Sequence, residues 1–257
     1  MLCNAGIGDI LIAKMILQSL NLKNKVVINK NLIRKNRSDS ADYYAFVEKL
    51  ENILFANQSE PALNIHSSNF QNKVTNFSLV EDFKQDLRSV YDFDYITLST
   101  KARFDGAHEK FIKNDLSVIV DLFRDFSVDC SIILLGEKDL NGKLADNKWE
   151  QYSFYEHYMD VLSKKNKIID LTSDKNLIAK PNWDMFTRDL SILHNSKLNI
   201  MFGYGGNMVM STAISNSNIG YISHIRHPFL NIVGPSYHRN LGTFLNELKL
   251  FVDNLNK

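Results

Sequence analysis

Residues 199–208 read NIMFGYGGNM, and this stretch decides the fold because it passes from a short apolar strand through glycines into a helix. Four apolar-rich residues suit a buried strand, while the spacing from Met208 to Ser215 is helical. Glycine allows positive φ and close backbone approach, and a helix N-terminus offers unpaired N–H groups to an anion. We therefore predict a phosphate-binding turn, and the alternative is a tight turn that binds nothing.

A second glycine turn lies near the start, where residues 6–9 read GIGD. The residues that follow it lie along one helical face, namely Ile10, Ala13, Leu17 and Leu20. Residues 1–5 barely suffice for a strand, and the turn does not match the Gly-x-Gly-x-x-Gly fingerprint. Two turns that could each bind a phosphate, separated by about the length of a domain, predict two α/β lobes that face a cleft.

The rest of the chain alternates between strands and helices. We predict strands at 26–28, 61–65, 95–98, 131–135, 168–171, 199–202 and 219–223, with helical patterns between and after them. The apolar stripe of the second helix is Tyr43, Val47, Leu50 and Leu54. This alternation predicts a parallel sheet wrapped by helices, with ligands beyond the carboxyl ends of the strands. We place a domain boundary between residues 1–90 and 91–257.

Composition excludes several classes of protein. The 257 residues carry 30 basic and 29 acidic side chains, so no global field favours nucleic acid or a membrane. Two cysteines, Cys3 and Cys130, are too few for a disulfide framework. Lys14 interrupts the apolar run 10–20, which resembles neither a signal peptide nor a membrane span. We predict a soluble cytoplasmic protein, with peripheral contact at the inner face of the membrane left open.

Three segments together resemble the heptosyltransferase-like family 9 of the GT-B glycosyltransferases. Residues 6–11 look like that family's opening Gly-x-Gly-Asp turn, residues 132–136 look like its central strand ending in glycine, and residues 203–213 occupy the place of its donor-phosphate loop. The resemblance implies two Rossmann-like lobes, of which the N-terminal acceptor-side lobe is reduced. The family's Gly-Pro-x-His form is replaced here by residues 205–208, so no imidazole contact is expected there.

The resemblance also implies roles for individual residues. Asp9 is the candidate general base, which would accept the proton of the acceptor hydroxyl. Its alternative role is to stabilise a helix N-terminus. Lys101 and Arg103 match the place of cationic contacts to the donor diphosphate, and they could stabilise the leaving group without a metal. The alternative for both is an exposed basic loop.

The remaining candidate residues lie in turns. The donor-binding set also contains Gly203, Gly205, Gly206, Asn207 and Met208. Substrate contacts are considered for Gly6, Gly8, His224, Arg226 and His227, and the alternative for residues 224–228 is a capped surface turn. The Asp-x-Asp sequence at 92–94 precedes a predicted strand, and the histidines lack zinc spacing. We therefore expect no metal and no cofactor.

The leading hypothesis is an inverting, metal-independent hexosyl- or heptosyltransferase of cell-envelope glycan biosynthesis. It would use a nucleotide-sugar donor and a glycan or lipid-linked acceptor, and no nucleic acid. The alternative is a non-catalytic nucleotide- or sugar-binding protein derived from the same fold. A dinucleotide oxidoreductase is a weaker third hypothesis, because the glycine fingerprint and its downstream acid are absent.

Overall fold

The computed structural model describes residues 2–3, 7–19, 26–29, 46–50, 53–56, 78, 80–105, 118, 121–136, 149–172, 185–202, 206–215, 217–221, 237–238 and 240–257. The helices are α1 (Ile7–Ser19), α2 (Tyr155–Leu162), α3 (Met185–Asn195), α4 (Gly206–Ile214) and α5 (Leu241–Leu255). Residues 46–49 and 121–125 are also helical. The strands are β1 (Leu2–Cys3), β2 (Val26–Asn29), β3 (Ile53–Ala56), β4 (Tyr95–Ser99), β5 (Lys101–Asp105), β6 (Ser131–Leu135), β7 (Trp149–Ser153), β8 (Ile168–Asp170), β9 (Asn199–Phe202), β10 (Asn218–Tyr221) and β11 (Tyr237–His238).

The largest sheet has six parallel strands in the order β11-β10-β9-β4-β6-β8. The chain enters at β4, adds β6 and β8 on one side, and then returns to β9 on the other side before adding β10 and β11. This is the order of a doubly wound sheet, whose direction of growth reverses between β4 and β9. The predicted α/β class with a parallel sheet is therefore confirmed. The arrangement as two lobes stays a prediction.

Helices cover both faces of this sheet. Successive residues of a strand point to opposite faces, so neighbouring residues pack against different helices. In β6, Ile133 and Leu135 belong to one hydrophobic cluster together with α1, α3 and α4. Ile132 and Leu134 belong to a second cluster together with α2 and α5. The strands consequently read as continuous apolar runs, as in other sheets that are buried on both faces.

Two smaller sheets accompany the large one. Strands β1, β2 and β3 form a parallel sheet in that order, and β5 pairs with β7 in antiparallel orientation. Residues 1–5, which barely suffice for a strand, include the two-residue strand β1. The β5–β7 pair was not predicted, and it places Lys101 and Arg103 in a strand.

Helix α1 is enclosed along its central turns. Residues from Ile10 to Leu17, including Lys14, are each at most 5% exposed. The helix packs against α4 and shares one hydrophobic cluster with it. A helix that is apolar all round is a core helix. The sequence predicted one buried face of this helix, whereas the structure buries more of its surface. The small sheet, α4 and the turn at 80–86 cover it, and local spacing does not reveal these partners.

The second predicted helix is corrected as well. Residues 46–49 are helical, with Phe46 and Val47 in the core, but Leu54 lies in β3 and pairs with Val27. A short apolar run suits either element, and pairing with β2 decides between them here. The predicted strand 61–65 lies outside the described residues. Among those that are described, no helix is long and apolar enough to cross a membrane.

Candidate functional site

The carboxyl ends of β4 and β9 lie side by side at the point where the sheet reverses its direction of growth. The two strands pair through Thr97 with Asn199 and Leu98 with Ile200. In doubly wound sheets, ligands bind in the crevice outside the carboxyl ends of the strands at this reversal. Strand β9 leads into the glycine turn, and β4 leads into the basic segment. The strand order therefore brings the starts of both predicted donor-binding segments together.

The basic segment that follows β4 is itself a strand. Lys101 pairs with Ser153 and Arg103 pairs with Gln151, and β5 also lies beside β9. Residues 101–105 therefore form a strand rather than a loop, and the role of Lys101 and Arg103 stays a prediction. The sequence did not predict a second strand after Thr100, because its partner β7 lies far along the chain and local patterns do not show such pairing.

Thr100 fixes the path of the chain between β4 and β5. It is fully buried. Its N–H donates to the carbonyl of Leu135 at 2.8 Å, and its Oγ1 donates to the same oxygen at 3.1 Å. The N–H of Phe154 donates to the Thr100 carbonyl at 2.7 Å. The exit from β4 is thus held by the ends of both β6 and β7, which gives the basic segment a defined starting point.

Aromatic rings pack beneath this edge of the sheet. Phe154 stacks on Tyr158 with ring centroids 5.6 Å apart and contacts Phe202, the last residue of β9, at 5.4 Å. The Tyr158 hydroxyl donates to the carbonyl of Ser99 at 3.2 Å, and burial raises the pKa of Tyr158 well above its usual value. The ends of β4 and β9 therefore rest on one rigid aromatic layer. Sequence analysis missed this layer, although Phe154, Tyr155 and Tyr158 show helical spacing.

Helix α4 begins earlier than its sequence pattern predicts. Gly206 and Asn207 are its first two residues, whereas the apolar pattern starts at Met208. Glycine is a poor helix former, so local spacing did not include it. Met208 is 2% exposed and belongs to the core. As the third residue of the helix, it has a backbone N–H without a partner inside the helix, which suits an anion. Asn207 is half-buried.

Asp9 lies in the first turn of α1 as its third residue, and Gly8 is half-buried beside it. A carboxylate at this position is favoured by the partial positive charge of the helix N-terminus. Its role as a base stays a prediction. Six other candidate residues lie outside the described part of the chain, namely Gly6, Gly203, Gly205, His224, Arg226 and His227.

A second polar group at the same edge of the sheet was missed from sequence. Asp170 ends β8, where its Oδ1 accepts from the N–H and Oγ1 of Thr172 at 2.8 and 2.6 Å. Its Oδ2 accepts from the Tyr155 hydroxyl at 2.7 Å. Between this carboxylate and β4, the chain leaves β6 through Gly136, whose φ of 108° favours glycine. The sequence signal for this group was the polar residue Asp170 at the end of the apolar strand Ile168–Asp170.

The described residues contain no group of three or more His, Cys, Asp or Glu side chains that could hold a metal ion. The Asp-x-Asp sequence lies at the opposite edge of the sheet, before β4, where Asp94 pairs with Lys197 at 3.3 Å. Comparisons with protein-family models, curated proteins and solved structures found no match.

Proposed function

We propose that the chain is a glycosyltransferase that binds a nucleotide-sugar donor at the carboxyl ends of β4 and β9. One observation supports the proposal: the strand that leads toward the glycine turn, β9, and the strand that leads into the basic segment, β4, are neighbours in the sheet. Each of these segments has the chemistry of a phosphate site, and together they suit a diphosphate.

The proposed chemistry needs two cationic groups and a base. The acceptor oxygen attacks the anomeric carbon of the donor sugar, the bond from that carbon to the diphosphate breaks, and the nucleoside diphosphate leaves. N–H groups in the first turn of α4, with Lys101 and Arg103, stabilise the charge that develops on the leaving group. Asp9 accepts the proton from the acceptor hydroxyl, and the anomeric configuration inverts.

A non-catalytic nucleotide-binding protein is the second candidate. The observation that favours it is the enclosure of α1, since the helix that carries Asp9 packs into the core beside α4. Such packing suits a fixed scaffold as well as it suits an acceptor lobe. Both candidates share the diphosphate site and differ in turnover.

The diphosphate site is tested by a thermal-shift screen of nucleoside diphosphates and nucleotide sugars. A ligand at about 100 times its Kd stabilises the native state by about 2.7 kcal/mol. Gly206→Val should weaken that binding, because a β-branched side chain crowds the first turn of α4. Gly242→Val is the matched control, since Gly242 occupies the first turn of α5. Equal ligand affinity in both variants would contradict the site.

Turnover is tested with Asp9→Asn. Loss of a positioned base costs about 10²–10⁴-fold in rate, so transfer should nearly disappear while donor affinity is kept. A helix-stabilising Asp9 would instead lose little activity, since Asn retains an oxygen acceptor. Donor binding without transfer or donor hydrolysis in the wild-type protein would favour the non-catalytic candidate.

A further inference from the structure

Four polar side chains lie in the otherwise apolar layer between the large sheet and α4. They form the buried amide cluster, whose members are at most 6% exposed: Thr97, Asn199, Ser211 and Asn218. Burial of polar groups is costly unless hydrogen bonds replace the lost water. The partners of each amide therefore show what the cluster holds in place.

Asn199 joins three elements of the fold. Its Oδ1 accepts from Thr97 Oγ1 at 2.5 Å, which ties β9 to β4. Its Nδ2 donates to the carbonyl of Leu193 in α3 at 2.9 Å and to Asn218 Oδ1 at 3.0 Å. Both amide hydrogens and the amide oxygen are thus used.

Asn218 binds the C-terminal end of α4. Its Nδ2 donates to the carbonyls of Ser211 at 3.3 Å and Ser215 at 2.5 Å. Its Oδ1 accepts from the Ser211 hydroxyl as well as from Asn199. The last carbonyls of a helix generally lack a partner within the helix, and here the Ser211 carbonyl also accepts from the N–H of Ser215 at 3.0 Å. Asn218 therefore caps α4 from a neighbouring strand.

These bonds define the position of α4 along its own axis. A shift by one residue moves a helix by about 1.5 Å, which would break bonds of this length. Apolar packing of α4 alone is non-directional and sets its position less sharply. Because α4 is one continuous helix of nine residues, fixing its C-terminal end also fixes Gly206 at the opposite end, beside the candidate phosphate site.

We propose that Asn199 and Asn218 are positioning residues, which hold the N-terminus of α4 at the carboxyl end of β9 for the donor diphosphate. The ligand in this proposal rests on the proposed function. The positioning of α4 itself does not depend on any ligand, so it can be measured separately.

The test compares Asn218→Ala with Leu248→Ala in the full chain. Leu248 is fully buried in α5 within the hydrophobic cluster on the other face of the sheet. Its truncation therefore lowers stability without touching α4. Amide hydrogen exchange across residues 206–214 is measured in both variants, together with the affinity of each variant for a panel of nucleoside diphosphates. Ser211→Ala is the milder variant if Asn218→Ala does not fold.

In Asn218→Ala, exchange of the α4 amides should rise about tenfold more than the global loss of stability explains, because at least one buried hydrogen bond is lost locally. Diphosphate affinity should fall by about tenfold or more, while Leu248→Ala keeps its affinity once corrected for the folded fraction. Exchange in α4 that follows global unfolding equally in both variants would overturn the positioning role. A different result is faster α4 exchange in Asn218→Ala together with a wild-type protein that binds no nucleoside diphosphate. That result would support the positioning role and overturn the proposed function.

Discussion

At the scale of single residues, Lys14 shows what burial demands of a charge. Its side chain is 7% exposed, and it forms an ion pair with Asp82, which is 9% exposed. The sequence showed only that a lysine interrupts an apolar run. Its partner lies 68 positions away and could not be identified from local spacing. Lys14 therefore needs Asp82 in order to occupy an enclosed helix.

Removing one charge of this pair should destabilise the protein strongly. We expect Asp82→Asn to lower the free energy of unfolding by about 3–5 kcal/mol, because the variant removes the charged partner of Lys14 in the core. The double variant Lys14→Met with Asp82→Asn should recover most of that loss. Urea denaturation of both variants measures the difference. An exposed ion pair contributes at most about 1 kcal/mol to stability. A loss no larger than this for Asp82→Asn would show that water reaches Lys14.

Buried tyrosines predict sensitivity to alkali. Burial raises the pKa of Tyr237 to about 12, and burial also raises the pKa values of Tyr95 and Tyr158. Below pH 10 these groups are protonated in both the folded and the unfolded chain, so they do not make stability depend on pH there. Above pH 10 the unfolded chain loses its tyrosine protons first, and stability falls by about 1.4 kcal/mol per pH unit for each such tyrosine.

Chemical denaturation between pH 9 and pH 12 tests this expectation. The Tyr237→Phe variant should lose stability less steeply with pH than the wild type, since one of the titrating groups is gone. An identical slope in both proteins would mean that Tyr237 ionises in the folded state at its ordinary pKa.

At the scale of elements, strand β11 depends on the absence of a side chain in β10. Gly220 pairs with Tyr237, and a Cβ at position 220 would lie 2.2 Å from the ring of that tyrosine. The Tyr237 hydroxyl also lies 3.4 Å from Thr212 Oγ1 on α4. Sequence analysis predicted the strand that became β10 but no strand after it, because two residues are too few for a periodic pattern.

Gly220→Ala should therefore displace the ring and release the edge strand. We expect a loss of about 1–3 kcal/mol, as for other overpacked core positions. Adding Tyr237→Ala removes the clash, so the double variant should be no less stable than Tyr237→Ala alone. Thermal unfolding of the three variants gives the coupling between the two sites. Additive losses would show that ring and glycine do not meet.

At the scale of the whole molecule, local patterns predicted the elements better than their arrangement. Strands β4, β6, β8, β9 and β10 were expected within a few residues of their bounds, and so was the glycine-to-helix transition of the candidate site. Their order in the sheet is set by long-range pairing, and no spacing rule encodes it. The same holds for β5, whose partner β7 decides that Lys101 and Arg103 lie in a strand.

The shared core predicts how the chain unfolds. Residues of α1 and of the segment 46–50 belong to the same hydrophobic cluster as α3 and α4. We therefore expect residues on both sides of position 90 to unfold in one transition, with fluorescence and circular dichroism giving the same midpoint. Two separate midpoints would show instead that residues 1–90 and 91–257 are independent folding units.

The enclosure of α1 also bears on biosynthesis. This helix leaves the ribosome well before its partner α4, which starts only at residue 206. At about 5–20 residues per second, the delay is on the order of ten seconds or more. Throughout that time the face of α1 that packs against α4 in the folded protein has no native neighbour to cover it. We therefore expect a chaperone to bind this exposed apolar face of α1 until α4 has been synthesised.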